Sequence, residues 1–243
     1  MKREIVLKVV VLFFYLLPNL ILSQSQVKQK NVYKLYDSIV GEGNIGLYNG
    51  LIYKKKHLSS DKSHEFYNSF NFIKGNIVYD SQPYFDIDIK YDVFNENIVV
   101  KLPFKGTFKV ITLLNDKVNE FSINDKKFVN INNYFDSIKG TDLSIFYEVI
   151  SEKNQIKILK LYKKEKREKL DKEYRYEVFK DKDEYYTVLN NSLYELKNKR
   201  DLIDILPDLK NEINLFYKSQ KKLSKSDNEA FLKLLASHFN NLL

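Results

Sequence analysis

Three acidic residues fall close together in YFDIDIKYDVFNENIVVKL, residues 84–102: Asp86, Asp88 and Asp92. Carboxylates at that spacing could gather a hard cation such as calcium, with Asn95 and Asn97 adding oxygens at the turn. Such a site draws its ligands from converging segments, often around a glycine-assisted loop. No calcium-loop spacing occurs here, and Lys90 stands in the same row. Alternation gives the simpler account. Phe85, Ile87, Ile89, Tyr91 and Val93 face one side of a strand, and Asp86, Asp88, Lys90 and Asp92 face the other. The acidic row is expected to be the wet face of an amphipathic strand.

Histidine offers little more. His57 and His64 lie seven apart in HLSSDKSHEF, near Asp61 and Glu65, but their separation matches no helical zinc pair. The stretch reads as a loop. His238 falls on an apolar helical stripe and is expected to be a partly buried structural residue. Cysteine is absent, which excludes disulfides, thiolate metal sites and cysteine nucleophiles. No serine nucleophile elbow, phosphate-cradling glycine loop or dinucleotide fingerprint occurs. No cofactor and no metal is implied. The inventory favours binding over chemistry, the alternative being a hydrolase or metal-dependent enzyme whose polar groups converge only in three dimensions.

The aromatic residues carry more. There are 18 Tyr and 17 Phe and no Trp, concentrated in LYNGLIY (47–53), EFYNSFNF (65–72) and YDSQPYF (79–85). They build either a sheet core with tyrosine hydroxyls at its rim, or an aromatic-lined groove for an apolar ligand or a peptide. Asn49-Gly50 and Asp80-Ser81 carry turn chemistry, and turns place side chains at the end of a sheet, where binding residues collect. The candidate contact set is therefore Tyr48, Asn49, Tyr79, Asp80, Gln82 and Tyr84.

These residues need elements to position them. Between 24 and 197 the chain reads as strands and turns. Lys74, Gly75 and Asn76 are expected to turn between Phe70/Phe72 and Ile77/Tyr79. Asn95–Asn97, Asn115-Asp116, Asn124-Asp125, Glu152–Asn154, Asp181–Asp183 and Asn190-Asn191 supply further joints. From 198 to 243 the spacing becomes helical, with Leu202, Ile203, Leu206, Leu209, Ile213, Phe216 and Tyr217 on one stripe. Phe231, Leu234, Leu235, His238 and Phe239 form a second, behind a cap at Ser226 or Asp227. Pro207 should open a helix at its first turn. The expected fold is β-dominated α+β: a curved antiparallel sheet or incomplete barrel with a small C-terminal helical pair packed on it. A transmembrane barrel would need a closing strand at the C-terminus, where this chain has a helical stripe. The charged run KLYKKEKREKLDKEYR (160–175) reads as a protruding, solvated hairpin, or else as a basic contact surface.

The first 23 residues have a basic start, an apolar run over Val9–Leu17 and Ser23 after Leu22, the pattern of a secretory signal peptide. The apolar run is shorter than the ~20 residues a membrane span needs. Export to the periplasm or outer envelope is expected, without a lipobox cysteine to carry an acyl anchor. The formal charge is +8, of which the leader holds a net +2 (Lys2, Arg3 and Lys8 against Glu4). That balance is ordinary for a soluble chain and does not call for nucleic acid. Peripheral membrane contact is compatible with it.

LYNGLIY, FIKGNIVYDSQPYFDIDIKYDVF (72–94), VNEFSINDKKF (118–128) and DLIDILPDLKNEINLFYK (201–218) together carry a resemblance. The chain resembles an uncharacterised family of exported proteins of flavobacteria and other Bacteroidota. Those proteins join a signal peptide, a YNG segment, a YDGQxY hairpin and a helical tail; Ser81 stands here where the family usually has Gly. The resemblance implies export and a β-rich body; the aromatic N-terminal half, by its own residues, is expected to contact an envelope protein partner or an apolar ligand. It assigns no catalytic residue.

Overall fold

Valine, isoleucine, tyrosine and phenylalanine at alternate positions make pleated surfaces that bury one side, and most of the thirteen strands among the described residues carry that pattern. The computed structural model describes residues 30–36, 39, 41, 45–60, 62–135, 145–152, 155–171 and 174–242. The expected leader, 1–23, lies outside them. A helical segment at 30–36 (α1) comes first. The strands follow: β1 (Leu51–Ile52), β2 (Ile73–Tyr79), β3 (Gln82–Asp92), β4 (Asn97–Phe104), β5 (Thr107–Thr112), β6 (Val118–Ile123) and β7 (Lys126–Asn130). After a single turn of helix, α2 (Ile131–Tyr134), come β8 (Phe146–Ser151), β9 (Lys157–Leu161), β10 (Lys164–Asp171), β11 (Tyr174–Asp181), β12 (Glu184–Leu189) and β13 (Ser192–Glu195). The chain then turns helical: α3 (Lys199–Ile205), α4 (Lys210–Ser219), α5 (Leu223–Ser226) and α6 (Asn228–Asn240).

Eleven strands form one antiparallel, curved and unclosed sheet in the order β1-β5-β4-β3-β2-β6-β7-β8-β9-β12-β13. β10 and β11 stand apart as a two-stranded hairpin, whose first strand lies within the charged 160–175 run. Two-residue turns with both central φ values positive match the right-handed twist of the strands they join. Asp80-Ser81, Lys105-Gly106, Asn124-Asp125 and Asn190-Asn191 all have that geometry, and Asp and Asn tolerate it best among residues with a Cβ.

One expected turn is instead a strand. Lys74, Gly75 and Asn76 lie within β2, where its pairing with β3 shifts register. A Cβ at Gly75 would stand 2.3 Å from the Ser122 carbonyl oxygen of β6, so glycine there permits close approach of a neighbouring strand. The irregularity puts an extra residue into β3. Asp86 takes φ 57°, and its N–H donates to Asn76 Oδ1 at 3.2 Å. Side-chain parity flips across a bulge. Tyr84 therefore joins Ile89 and Tyr91 inside, whereas Phe85, expected inside, lies outside against the Tyr33 ring of α1 at 6.3 Å.

The sheet's inner face carries a continuous core. Ile77, Tyr79, Tyr84, Ile89, Tyr91, Ile98, Val100, Phe121 and Phe128 fill the first part. Phe121 and Phe128 stack at 4.7 Å and Tyr91 meets both edge-on, an arrangement that favours aromatic pairs. Further on, Ile150, Ile156, Ile158, Leu189 and Leu196 meet the helices through Leu202, Ile213, Phe216, Phe231, Leu235 and Phe239. Asn198 and Asp201 close a capping box at α3, Pro207 opens a turn ahead of α4, and Asp227 caps α6 through Ala230 N–H at 2.9 Å. The buried stripe of α6 is Phe231, Leu232, Leu235, Ala236 and Phe239. Leu234 (42% exposed) and His238 lie on its border, contrary to the expected stripe, and the exposed His238 ring stacks on Phe216 at 4.9 Å. No described helix is long and apolar enough to cross a membrane.

Candidate functional site

The acidic row separates into three different environments. Asp86 is exposed and pairs with Lys30 at 3.0 Å and with Lys34, both on α1. Those ammoniums, Lys34 foremost, hold it below the usual carboxylate range. Asp88 is half-buried between Lys74 at 3.0 Å and Lys101 at 3.8 Å. Asp92 is not wet: it is 5% exposed, and burial pushes its carboxyl upward. The expectation of one solvated row fails at Asp92 because a distant loop covers that end of β3.

That loop builds a polar chain over Asp92. Asn95 donates its N–H to Asp92 Oδ1 at 2.9 Å and its amide nitrogen to Oδ2 at 2.8 Å. The same amide nitrogen lies 3.2 Å from His57 Nε2, whose other nitrogen lies 2.9 Å from Glu177 Oε2. An amide nitrogen can only donate, so His57 accepts at Nε2 and donates Nδ1–H to Glu177. Leu58 N–H and Lys166 also bond Glu177, and Lys166 foremost holds its carboxyl below the usual value. Both nitrogens of His57 are thereby committed. The chain fastens the β10–β11 hairpin to the end of β3, and edge-on contacts of His57 with Phe94 and Phe179, at 5.2 and 5.3 Å, close it.

Beside this fastening lies Glu65, fully buried, with neither carboxylate oxygen partnered among the described residues. Tyr53 is pushed up to about 12, by burial first and then by the Glu65 and Asp92 charges. Tyr53 and Asp92 share the wall of a cavity of about 230 Å³ with Leu51, Ile52, Val99 and Thr112. No group of three His, Cys, Asp or Glu side chains among the described residues is placed to hold a metal ion.

Next to this cavity, rings and ammonium groups alternate across the outer face of β3, β4 and β5. Lys55 lies over Phe70 at 5.4 Å. Lys90 lies among Phe66, Phe70 and Phe72 at 4.5, 4.9 and 4.6 Å. Lys101 bridges Phe72 and Phe108 at 5.3 and 5.1 Å. Burial pulls Lys90 below its ordinary value; Glu65 opposes this, and Lys55 and Lys101 add to it. The register explains the order: Lys101 lies opposite Asp88 on β3 and Val110 on β5, and Phe108 lies opposite Pro103.

The row ends at an open edge. β1 pairs with β5 only at Ile111 and Thr112, and Tyr53 N–H adds a bond to the Val110 carbonyl. Past Val110 the outer edge of β5, Thr107–Lys109, has no paired strand among the described residues. Leu51 and Ile52 (each 65% exposed) and Phe108 (63%) stand along this edge.

The six residues singled out from sequence lie elsewhere, around the β2–β3 turn. Tyr79 and Tyr84 are closed inside the core, and the Tyr79 hydroxyl donates to the Asn49 carbonyl at 2.9 Å. Tyr48 is half-buried and its hydroxyl donates to the Pro103 carbonyl. Asp80 is exposed and pairs with Lys117 at 3.1 Å; Asn49 is exposed and Gln82 half-buried. The structure thus joins Asn49 to Tyr79 and leaves Asn49 and Asp80 as the open part of the set. Lys90, Lys101 and Phe108 were not singled out in advance. Their signal is a lysine in the middle of an alternating strand, repeated on the next strand, with phenylalanines flanking both.

Fold and site together define a β-dominated protein with a basic, aromatic outer face beside an open sheet edge. No family model, curated protein or solved structure matches the chain.

Proposed function

We propose that the chain is a non-catalytic accessory protein of the cell envelope that holds a protein partner through its aromatic N-terminal half. The observation that carries this is the open edge of β5, with Leu51, Ile52 and Phe108 exposed beside it. Unpaired strand edges accept an extended segment by main-chain hydrogen bonding, while flanking pockets read its side chains. The lysines of the outer face favour an acidic segment, since complementary charge steers encounter. The leader pattern and the resemblance to exported Bacteroidota proteins support the compartment. Fractionation with N-terminal sequencing checks this: a chain beginning just after Ser23 in the envelope fraction is expected, and an intact Met1 in the cytosol would overturn it.

Partner binding is tested by capture from native envelope with wild type and with Phe108→Asp. Proteins that disappear with the variant but persist with Tyr194→Asp, on the opposite edge strand, support the reading. An identical captured set would count against it. A second reading, a hydrolase working from the cavity at Asp92, draws on buried Glu65 beside Asp92 and Tyr53. It requires a pH-dependent turnover abolished by Asp92→Asn in a chain that still folds.

A further inference from the structure

At the other end of the molecule, a half-open cavity of about 580 Å³ lies where the β11–β12 turn, the β13–α3 junction and helices α4–α6 meet. Its volume falls within the ~300–1,000 Å³ range of small-molecule sites. The apolar wall is Tyr185, Leu196, Tyr217, Phe231 and Leu232. Tyr217 crosses Phe231 edge-on at 5.0 Å, and burial foremost, with the Asp201 charge, pushes its hydroxyl up to about 12.

The charged rim is almost neutralised from within. Asp183 pairs with Lys160 at 2.8 Å, Glu184 with Lys163 at 2.8 Å, Glu195 with Lys197 at 2.6 Å and Lys182 with Glu165 at 2.6 Å. Lys199 differs: its ammonium bonds the neutral amide oxygen of Asn214 at 2.6 Å and has no carboxylate partner among the described residues. Lys199 is thus the lysine of the lining without a carboxylate partner among the described residues, and an apolar wall beside it complements an apolar molecule carrying one negative charge. We propose that this cavity binds an amphipathic monocarboxylic acid. Its chain lies on Tyr185, Tyr217 and Leu232, and its carboxylate meets Lys199. The site is separate from the N-terminal face and does not depend on the partner reading given above.

Titration calorimetry with dodecanoate, below its micelle concentration, tests this on the folded chain, with dodecanol as the neutral control. Saturable one-to-one binding of dodecanoate is expected. Lys199→Gln should weaken it at least tenfold while leaving dodecanol unchanged. Asn228→Trp, at an exposed position on the cavity wall, should block both. Circular dichroism and melting of each variant separate loss of binding from loss of fold. No saturable binding to the wild type, or binding that neither variant alters, would overturn the proposal.

Discussion

At the C-terminal end of the sheet, β8, β9 and β12 turn their inner face onto α3, α4 and α6, and Ile158, Leu235, Ala236 and Phe239 are closed from solvent. At the N-terminal end, the outer face of β3, β4 and β5 is met by α1 at Phe85 and by a loop beyond it, and Lys90 and Lys101 occupy positions between phenylalanine rings. One end is closed with aliphatic side chains, worth ~1.5–3 kcal/mol for each fully buried. The other is covered by cation–π pairs, worth ~0.5–1 kcal/mol where exposed. The edges differ in the same sense. β13 is short and ends at the Glu195–Lys197 ion pair, a charged finish that discourages strand addition. β5 carries Phe108 past the end of its partner strand. The contrast shows which surface the fold needs and which it can lend to a partner.

The largest effect should come from the closed end. Leu235→Ala removes a fully buried side chain from the helix–sheet core and should cost about 2–5 kcal/mol. Thermal unfolding checks this. A shift under a degree would mean that α6 does not share the core of the sheet.

A smaller loss is expected at the polar strut between the two regions. Buried Glu148 takes the Tyr162 hydroxyl at 2.6 Å and pairs with Lys126 at 2.9 Å, which reaches Glu229 on α6 at 3.4 Å. Tyr162→Phe removes that charge-assisted hydrogen bond, together with the longer one that Lys126 donates to the same hydroxyl at 3.3 Å, and should cost about 1.5–3 kcal/mol in chemical denaturation. No change would detach the strut from stability.

Most of the β body was legible because its signals are local. Asp80-Ser81, Asn124-Asp125 and Asn190-Asn191 announce tight turns by residue type, and strand alternation needs only neighbours. The bulge at Asp86 was not legible, since it depends on how closely β6 approaches Gly75. Nor was the environment of Asp92. The His57 contact with Asn95 spans 38 residues of sequence and its contact with Glu177 spans 120, so no local pattern reports them.

At the open end, Lys90→Met should change stability at neutral pH by less than about 1 kcal/mol, as an apolar chain replaces an ammonium that rings partly compensate. The pH dependence is sharper. Lys90 is depressed in the folded chain, so the unfolded state binds more protons between that lowered value and its ordinary 10.5. Wild-type stability should therefore gain a rising contribution with pH across that window, and Lys90→Met should lack it. Parallel curves for the two chains would show that the ring box does not desolvate Lys90.

The smallest expected change in stability belongs to the edge itself, and it bears on the central claim. Leu51→Ser, Ile52→Ser and Phe108→Ser combined replace side chains that are 63–65% exposed. Melting temperature and partner capture should be measured side by side on this variant and on wild type. An unchanged melting temperature with loss of the captured partner is predicted. A melting temperature lower by several degrees, or capture of the same proteins as wild type, would contradict the assignment of this edge to binding.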